Sequence, residues 1–543
     1  MKRSHSLGGP RRVENRFAAA LVFGIGLVAG VPAKLEAQSD GPPKLTVMIV
    51  IDQLRQDVFE KYEPAFEHGF RRILDEGFRY TQASHAHART STAPGHATLA
   101  TGVFPSRHAI VANSWQQRRG FQWQSTYAVA DRESPITGFE NEPLLEGRSP
   151  ANLERESIAD WFGAANRGSR RVSISKKDRA AIPMGGQNTE HVYWVVPELA
   201  RFVTSTYYAD AYPRWVHAFN ERVMPGILEP QVWESEVPAT YRSLARGDTA
   251  SYEGDGVNTW FPHVSATENA PDTSPMQHNV WGLDQPRADD AVMEMAKAAI
   301  EQLELGQRNE QDFLAISLSA TDRVGHGYGP FSQEVLSTLI HVDRLLGDFF
   351  SHLDEEIGEG RWVVGISGDH GVATMPEYAR ELGNPEADRV PIDEMRAALS
   401  AVLNTVASGG GSPDDIAQRL ARAVEKEDVV SAAYSHYELT HAMPADSFAV
   451  LYRNSYYPGR AWSDLSRFGV DLRFGEGDYV GYQTGTSHES PYWYDRHVPI
   501  MLLGGGVLPG VSDAPVYTVD FAPTLAGLAG ITIPDDLDGR RIY

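Results

Sequence analysis

Leu45-Thr46-Val47-Met48-Ile49-Val50-Ile51 is a continuous run of strand length that ends on Asp52. A strand that reads apolar on both faces is buried on both, as in the parallel sheet of an α/β fold. Two later runs repeat the pattern. Phe313-Leu-Ala-Ile-Ser-Leu318 leads into Ser319-Ala320-Thr321-Asp322, and Arg361-Trp-Val-Val-Gly-Ile366 leads into Ser367-Gly368-Asp369-His370-Gly371. Open α/β sheets bind ligands outside the carboxyl ends of their strands. Three strands that end in acids or imidazoles therefore predict a site together with a fold. Arg171–Ile174 and Pro499–Leu503 are further strand candidates. Helices are expected over 65–76, ending at Gly77, and over 288–305. Another starts at Ser332, where Val335, Leu339, Val342, Leu346, Phe349 and Leu353 form one apolar stripe.

Chemistry centres on Arg89-Thr-Ser-Thr-Ala-Pro-Gly-His96. Pro94 suits the first turn of a helix, and Gly102 suits its end. Thr92 then lies beside free backbone N–H groups at the positive end of the helix dipole, a place for an alkoxide or a phosphate. Taken alone, the stretch favours Thr92 as a helix cap, and the motifs elsewhere reverse that reading. Pro105 to Trp115 reads as a loop carrying Asn113. His85 and His87 read as ordinary loop residues, with no third ligand nearby.

The segment Ser175-Lys176-Lys177-Asp178-Arg179 precedes a Gly-rich turn. In an extended chain Lys177 and Arg179 point the same way, and two cations on one face suit a tetrahedral oxyanion. Asp322 and His326 stand four apart, with Gly325 permitting a tight turn, and form a candidate pair for zinc. Asp369 and His370 are flanked by glycines that let both side chains converge on one metal. Thr486-Ser487-His488 supplies a late imidazole. Residues 187–285, rich in Trp, Tyr, Pro and Asn, read as a cap. Residues 391–426 read as two amphipathic helices inside an insertion that extends to about 460.

Across 543 residues the formal charge is −23, with 49 basic and 72 acidic side chains. An acidic surface argues against nucleic acid or an anionic membrane as partner. The chain has no cysteine, which excludes thiolate ligands, a Cys nucleophile and disulfides. Residues 1–37 read as an export signal: a basic start, an apolar run from Phe17 to Val31, and Leu35-Glu-Ala37 before a cleavage point. Their removal takes away six basic and two acidic side chains and leaves −27. The expectation is one catalytic domain over 38–543, periplasmic or secreted, monomeric and without a membrane anchor after cleavage.

Several motifs in this order resemble the alkaline phosphatase superfamily and, within it, the bacterial phosphate-irrepressible enzymes of the PafA type. The resemblance runs from about Leu45 to Tyr543. It rests on Val50-Ile-Asp-Gln53, Thr92-Ala-Pro-Gly-His96, Lys177-Asp-Arg179, Thr321-Asp322 with His326, Ser367-Gly-Asp-His-Gly371, Thr486-Ser-His488 and Asp520-Phe-Ala-Pro-Thr-Leu525. It implies a mostly parallel sheet with helices on both faces. It also implies two zinc ions, one held by Asp322, His326 and His488, the other by Asp52, Asp369, His370 and Thr92. Asn113, Lys177 and Arg179 would bind the phosphoryl oxygens, and His96 would pack or position. The implied reaction is hydrolysis of small phosphate monoesters through a phosphothreonine at Thr92. A phosphodiesterase or nucleotide pyrophosphatase would share the metals and the Thr but put apolar residues in place of Lys177 and Arg179. A non-catalytic metal-stabilised binding protein would lack the nucleophile or part of the ligand set.

Overall fold

The computed structural model describes residues 41–543 except 143, 255–258, 266–273 and 482. The expected export signal lies outside the described residues. Nine strands form the main sheet. In chain order they are β1 (Leu45–Ile51), β2 (Phe78–Tyr80), β3 (Arg171–Ser175), β4 (His191–Val196), β5 (Arg201–Val203), β6 (Asp312–Leu318), β7 (Trp362–Ser367), β8 (Ile500–Gly504) and β9 (Gly510–Ser512). Across the sheet the order is β9-β2-β8-β7-β1-β6-β3-β4-β5. The five strands from β7 to β4 run parallel. Antiparallel pairings begin at β8 on one side and at β5 on the other. The expected α/β fold is therefore present, with β1 at its centre.

Every residue of β1 is buried. Successive side chains of a strand face opposite ways, and β1 divides accordingly. Leu45, Val47, Ile49 and Ile51 join the core that contains the stripe Val335 to Leu353. Met48 and Val50 join the other core, with Leu99, Phe521 and Leu525. Helices thus cover both faces, which leaves the strand ends as the place where polar groups gather.

Four helices carry or frame the site: α1 (Thr92–Thr101), α2 (Asp178–Gly185), α3 (Ala320–Tyr328) and α4 (Gln333–Glu356). Helix α4 begins as expected, with Ser332 accepting the Val335 N–H at 3.1 Å. Helix α1 ends at Gly102 in the left-handed region, φ 68°, where a side chain would be strained.

Three local expectations change. The early helix starts at Gly69 rather than at Ala65, after a short 3-10 turn over Glu63–Ala65. Its free N–H groups are met from α4, because the Asp343 carboxylate accepts from Glu67, His68 and Phe70. The loop around Asn113 contains a short helix, Pro105–His108, and leads into a hairpin of Ser114–Arg119 with Gln122–Tyr127. Within the stretch expected as a cap, residues 191–203 instead form sheet strands β4 and β5. The apolar run His-Val-Tyr-Trp-Val-Val gives β4 a buried face.

The insertion has the two expected helices, Ile392–Ser408 and Pro413–Val424, the second opened by a Ser412/Asp415 capping box. No helix among the described residues is long and apolar enough to cross a membrane.

Candidate functional site

Thr92 is the first residue of α1, and Ser91 rather than Thr92 is the N-cap. The expected free N–H beside it is in fact occupied, since Ala93 N–H donates to Asn113 Oδ1 at 2.9 Å. Asn113 thereby brings its amide to the mouth of the helix. One turn on, His96 Nδ1 lies 2.8 Å from the Thr92 carbonyl and 3.2 Å from Asp369 Oδ2, while Nε2 meets Ser317 Oγ at 2.9 Å. His96 thus ties the first turn of α1 to the ends of the two strands that carry Ser317 and Asp369. Gly95 lets α1 approach the strand end, because a Cβ there would collide with the Asp369 carbonyl.

Lys177 and Arg179 are not on an extended segment. Lys177 is the N-cap of α2 and Arg179 its second residue. Ala180-Ala181-Ile182 favours helix, and Asp178 in the first turn suits the helix dipole. From this cap the Lys177 ammonium reaches Asp52 Oδ2 at 2.6 Å and Asp322 Oδ2 at 2.5 Å. Burial disfavours its charge, but those two carboxylates more than compensate and raise its pKa. Arg179 Nη1 is 3.5 Å from the Tyr127 hydroxyl, which itself donates to Asp178. Asp178 also takes Arg148 at 2.6 Å. The nearest acid is thus committed elsewhere, and the buried Arg179 Nε has no partner.

Asp322 and His326 come together on α3 rather than through a tight turn. At i and i+4 they share one helix face, and His326 Nε2 is 3.1 Å from Asp322 Oδ1. Gly325 serves a different purpose from the expected one: its missing Cβ makes room for the Gln53 amide. Gln53 closes the motif Val50-Ile-Asp-Gln53, but no role for it followed from sequence. It sits at φ 67°, unusual for a non-glycine. Its N–H holds Asp369 Oδ1 at 3.0 Å and its side chain holds Asp322 Oδ1 at 2.9 Å. The only trace in the sequence is its position just after the acid that ends β1.

The three imidazoles share one arrangement. His326 Nδ1 faces the Thr486 carbonyl at 2.8 Å, His370 Nδ1 the Gly371 carbonyl at 2.9 Å, and His488 Nδ1 the Thr90 carbonyl at 2.6 Å. A carbonyl can only accept, so each Nδ1 carries a proton and Nε2 is the nitrogen left to face the acids. These Nε2 atoms point at the acids. His370 Nε2 lies 3.4 Å from both Asp52 Oδ1 and Asp369 Oδ2, and His488 Nε2 lies 3.7 Å from Asp322 Oδ1. The His370 and His488 rings stack at 3.7 Å. Two sets could each hold one ion: Asp322, His326 and His488, and Asp52, Asp322 and His370. Asp322 belongs to both, a sharing that the sequence did not suggest, and Asp369 flanks the second.

The donors fit a divalent cation. Asp52 Oδ1 and His370 Nε2 are buried without a hydrogen-bond partner, and Asp369 Oδ2 has only the 3.2 Å approach of His96 Nδ1, a costly condition for groups that a metal would satisfy. Three carboxylates against one ammonium leave the cluster net negative. Burial, then repulsion from Asp322 and Asp369, pushes Asp52 up to about 6. Burial also opposes charge on Asp322, but Lys177 and His326 hold it well below the usual carboxylate range. His85 and His87 are not ordinary loop residues, since both are fully buried. His85 bridges the Gly368 carbonyl at 3.1 Å and Thr518 Oγ1 at 2.9 Å, behind the Asp369-His370 corner.

A family model for type I phosphodiesterase / nucleotide pyrophosphatase matches residues 46–469. The chain is 29% identical to alkaline phosphatase PafA of Elizabethkingia meningoseptica, over 96% of this chain and 98% of that one. It is 30% identical to alkaline phosphatase PhoV of Synechococcus elongatus, over 95% of each. A crystal structure of wild-type alkaline phosphatase PafA superposes with a TM-score of 0.82 at 28% identity, covering 92% of this chain and 98% of that one.

Proposed function

This chain belongs to the type I phosphodiesterase / nucleotide pyrophosphatase family and is a phosphatase of the alkaline phosphatase superfamily; from that premise we propose that it hydrolyses phosphate monoesters with two zinc ions and a phosphothreonine at Thr92. The observation that carries this is the gathering of Asp52, Asp322, Asp369, His326, His370 and His488 at neighbouring strand ends, with unpartnered donor atoms among them. Asp322, His326 and His488 would hold one ion, and Asp52, Asp369, His370 and the Thr92 oxygen the other. Asp322 also stands within reach of Asp52 and His370, at the boundary of the two sets. Bound there, zinc supplies Lewis acidity, favouring an ionised hydroxyl or water and neutralising a departing oxygen.

The protein's own groups then divide the work. Thr92 Oγ, at the positive end of α1, attacks phosphorus in line; the Oγ–P bond forms as the bond to the alcohol oxygen breaks. Water then forms a bond to phosphorus, the Oγ–P bond breaks, and inorganic phosphate leaves. Asn113 has committed its amide oxygen to Ala93, so its NH2 is the part left to donate to a phosphoryl oxygen. Arg179 offers a guanidinium in no ion pair among the described residues, and Lys177 adds a second cation. A monoester carries two charges on the transferred group and a diester one. Two cations therefore favour monoesters over the diesters of the family's other members. The basic, then apolar, first 37 residues support an exported protein, periplasmic or secreted.

The test compares 4-nitrophenyl phosphate with its bis-ester on the zinc-loaded enzyme and on Thr92→Ala. Monoester cleavage should be the faster, and Thr92→Ala should lower it by about a thousandfold or more. A faster diester reaction would reverse the substrate assignment, and an unimpaired Thr92→Ala would remove the covalent step.

A further inference from the structure

Outside Lys177 and Arg179 lies a cavity of about 840 Å³, the size of a pocket for an organic ligand. Much of its wall is apolar: Phe139, Leu145, Trp194, Val196, Leu199 and Met276. Phe139, Leu145, Val196 and Leu199 are half-buried and rest on the core around Trp194. They present carbon to the cavity while closing the core beneath it.

Most charges on the wall are matched within it. Asp284 pairs with Lys176 at 2.6 Å and Arg323 at 2.8 Å. Arg148 pairs with Asp178 at 2.6 Å and with Glu146 at 3.5 Å. The remaining charges are ordered by depth. Buried Lys177 and half-buried Arg179 stand at the inner end, toward the strand-end cluster. Exposed Glu142 and Glu198 stand on the outer rim, in no ion pair among the described residues. Arg323, directly after Asp322 on α3, forms part of the wall. The cavity therefore opens beside an acid common to both candidate metal sets.

The geometry points to a leaving-group pocket that selects monoesters of a bulky aromatic alcohol bearing no further negative charge. The phosphoryl group lies at the cationic inner end, the aromatic body against the apolar wall, and the acidic rim repels a second anion. This deepens the monoesterase reading above and rests on it.

The test uses zinc-loaded enzyme with phenyl phosphate, 2-naphthyl phosphate and 6-sulfo-2-naphthyl phosphate. In the native enzyme the KM for the naphthyl ester should be about tenfold below that of the phenyl ester. The sulfonate should cancel that advantage, and Glu142→Gln with Glu198→Gln should restore it. Phe139→Ala with Leu199→Ala should lower the naphthyl-to-phenyl ratio of kcat/KM about tenfold. Equal KM for phenyl and naphthyl esters, or a ratio indifferent to the double variant, would overturn the pocket while leaving the monoesterase intact. No turnover of any of the three esters would remove the underlying reading and the pocket with it.

Discussion

Two groups of acids and histidines in this molecule use the same residue types for opposite ends. On α4, His341 gives Nδ1 to Glu236 at 2.6 Å and Nε2 to Asp290 at 3.0 Å, and Arg344 completes the set by pairing with Glu236 at 2.8 Å. Burial pulls its pKa down, but the hydrogen bonds to Asp290 and Glu236 prevail and hold it at about 9. It is an imidazolium with both nitrogens spent. At the strand ends each imidazole gives Nδ1 to a backbone carbonyl rather than to an acid, and turns Nε2 toward acids that already crowd one another. The contrast shows that counting Asp and His does not identify a metal centre. What separates the two is the partner of the second nitrogen, and whether acceptors are left without donors.

The largest expected effect tests the strand-end half. Asp322→Ala removes the acid common to both sets, so bound zinc, measured by elemental analysis after dialysis, should fall and activity should drop by about a thousandfold or more. Asp290→Asn, in the other group, should leave the zinc content unchanged. Equal zinc loss in both would erase the distinction. Next, Lys177→Ala with Arg179→Ala should cost monoester turnover a factor of about 10²–10³ and diester turnover much less, read as kcat/KM on paired substrates. Equal losses would mean the cations do not select charge.

His96→Gln removes the link between the Thr92 carbonyl and Asp369. It should reduce zinc affinity or activity about 10–100-fold, measured by chelator competition beside kinetics. The smallest effect concerns His341. Its folded pKa is raised above the unfolded value, so its stabilisation is full below about 6.5 and is lost as pH rises through about 9. His341→Gln should therefore cost about 1–3 kcal/mol near pH 6, falling toward zero above pH 9, by urea unfolding at several pH values. A penalty independent of pH would show that His341 is held by packing rather than charge.

Much of the arrangement could be read along the chain. The runs ending at Asp52, Asp322 and Asp369 became adjacent parallel strands because apolar residues in unbroken succession require cover on both faces. The Val335-to-Leu353 stripe became a core face for the corresponding helical reason. Thr92, Asn113, Lys177 and Arg179 were picked out by residue type and order, which carry the chemistry each can perform. These are local properties, expressed within a few residues of one another.

Other features depended on partners hundreds of positions away. Asp343 meets the N–H groups at 67–70 and so shifts where a helix begins. Lys177 became a helix cap whose ammonium bridges Asp52 and Asp322, and Gln53 took a left-handed backbone to hold two distant acids. The fate of His85 was hidden for the same reason, because its ring is enclosed by Gly368 and Thr518. A side chain's bonding partners are chosen by whichever surfaces the packed fold brings within about 3 Å, and hydrogen bonds and ion pairs have no fixed separation in sequence. The local pattern therefore names the candidate groups, while packing decides which lone pairs stay open for a metal.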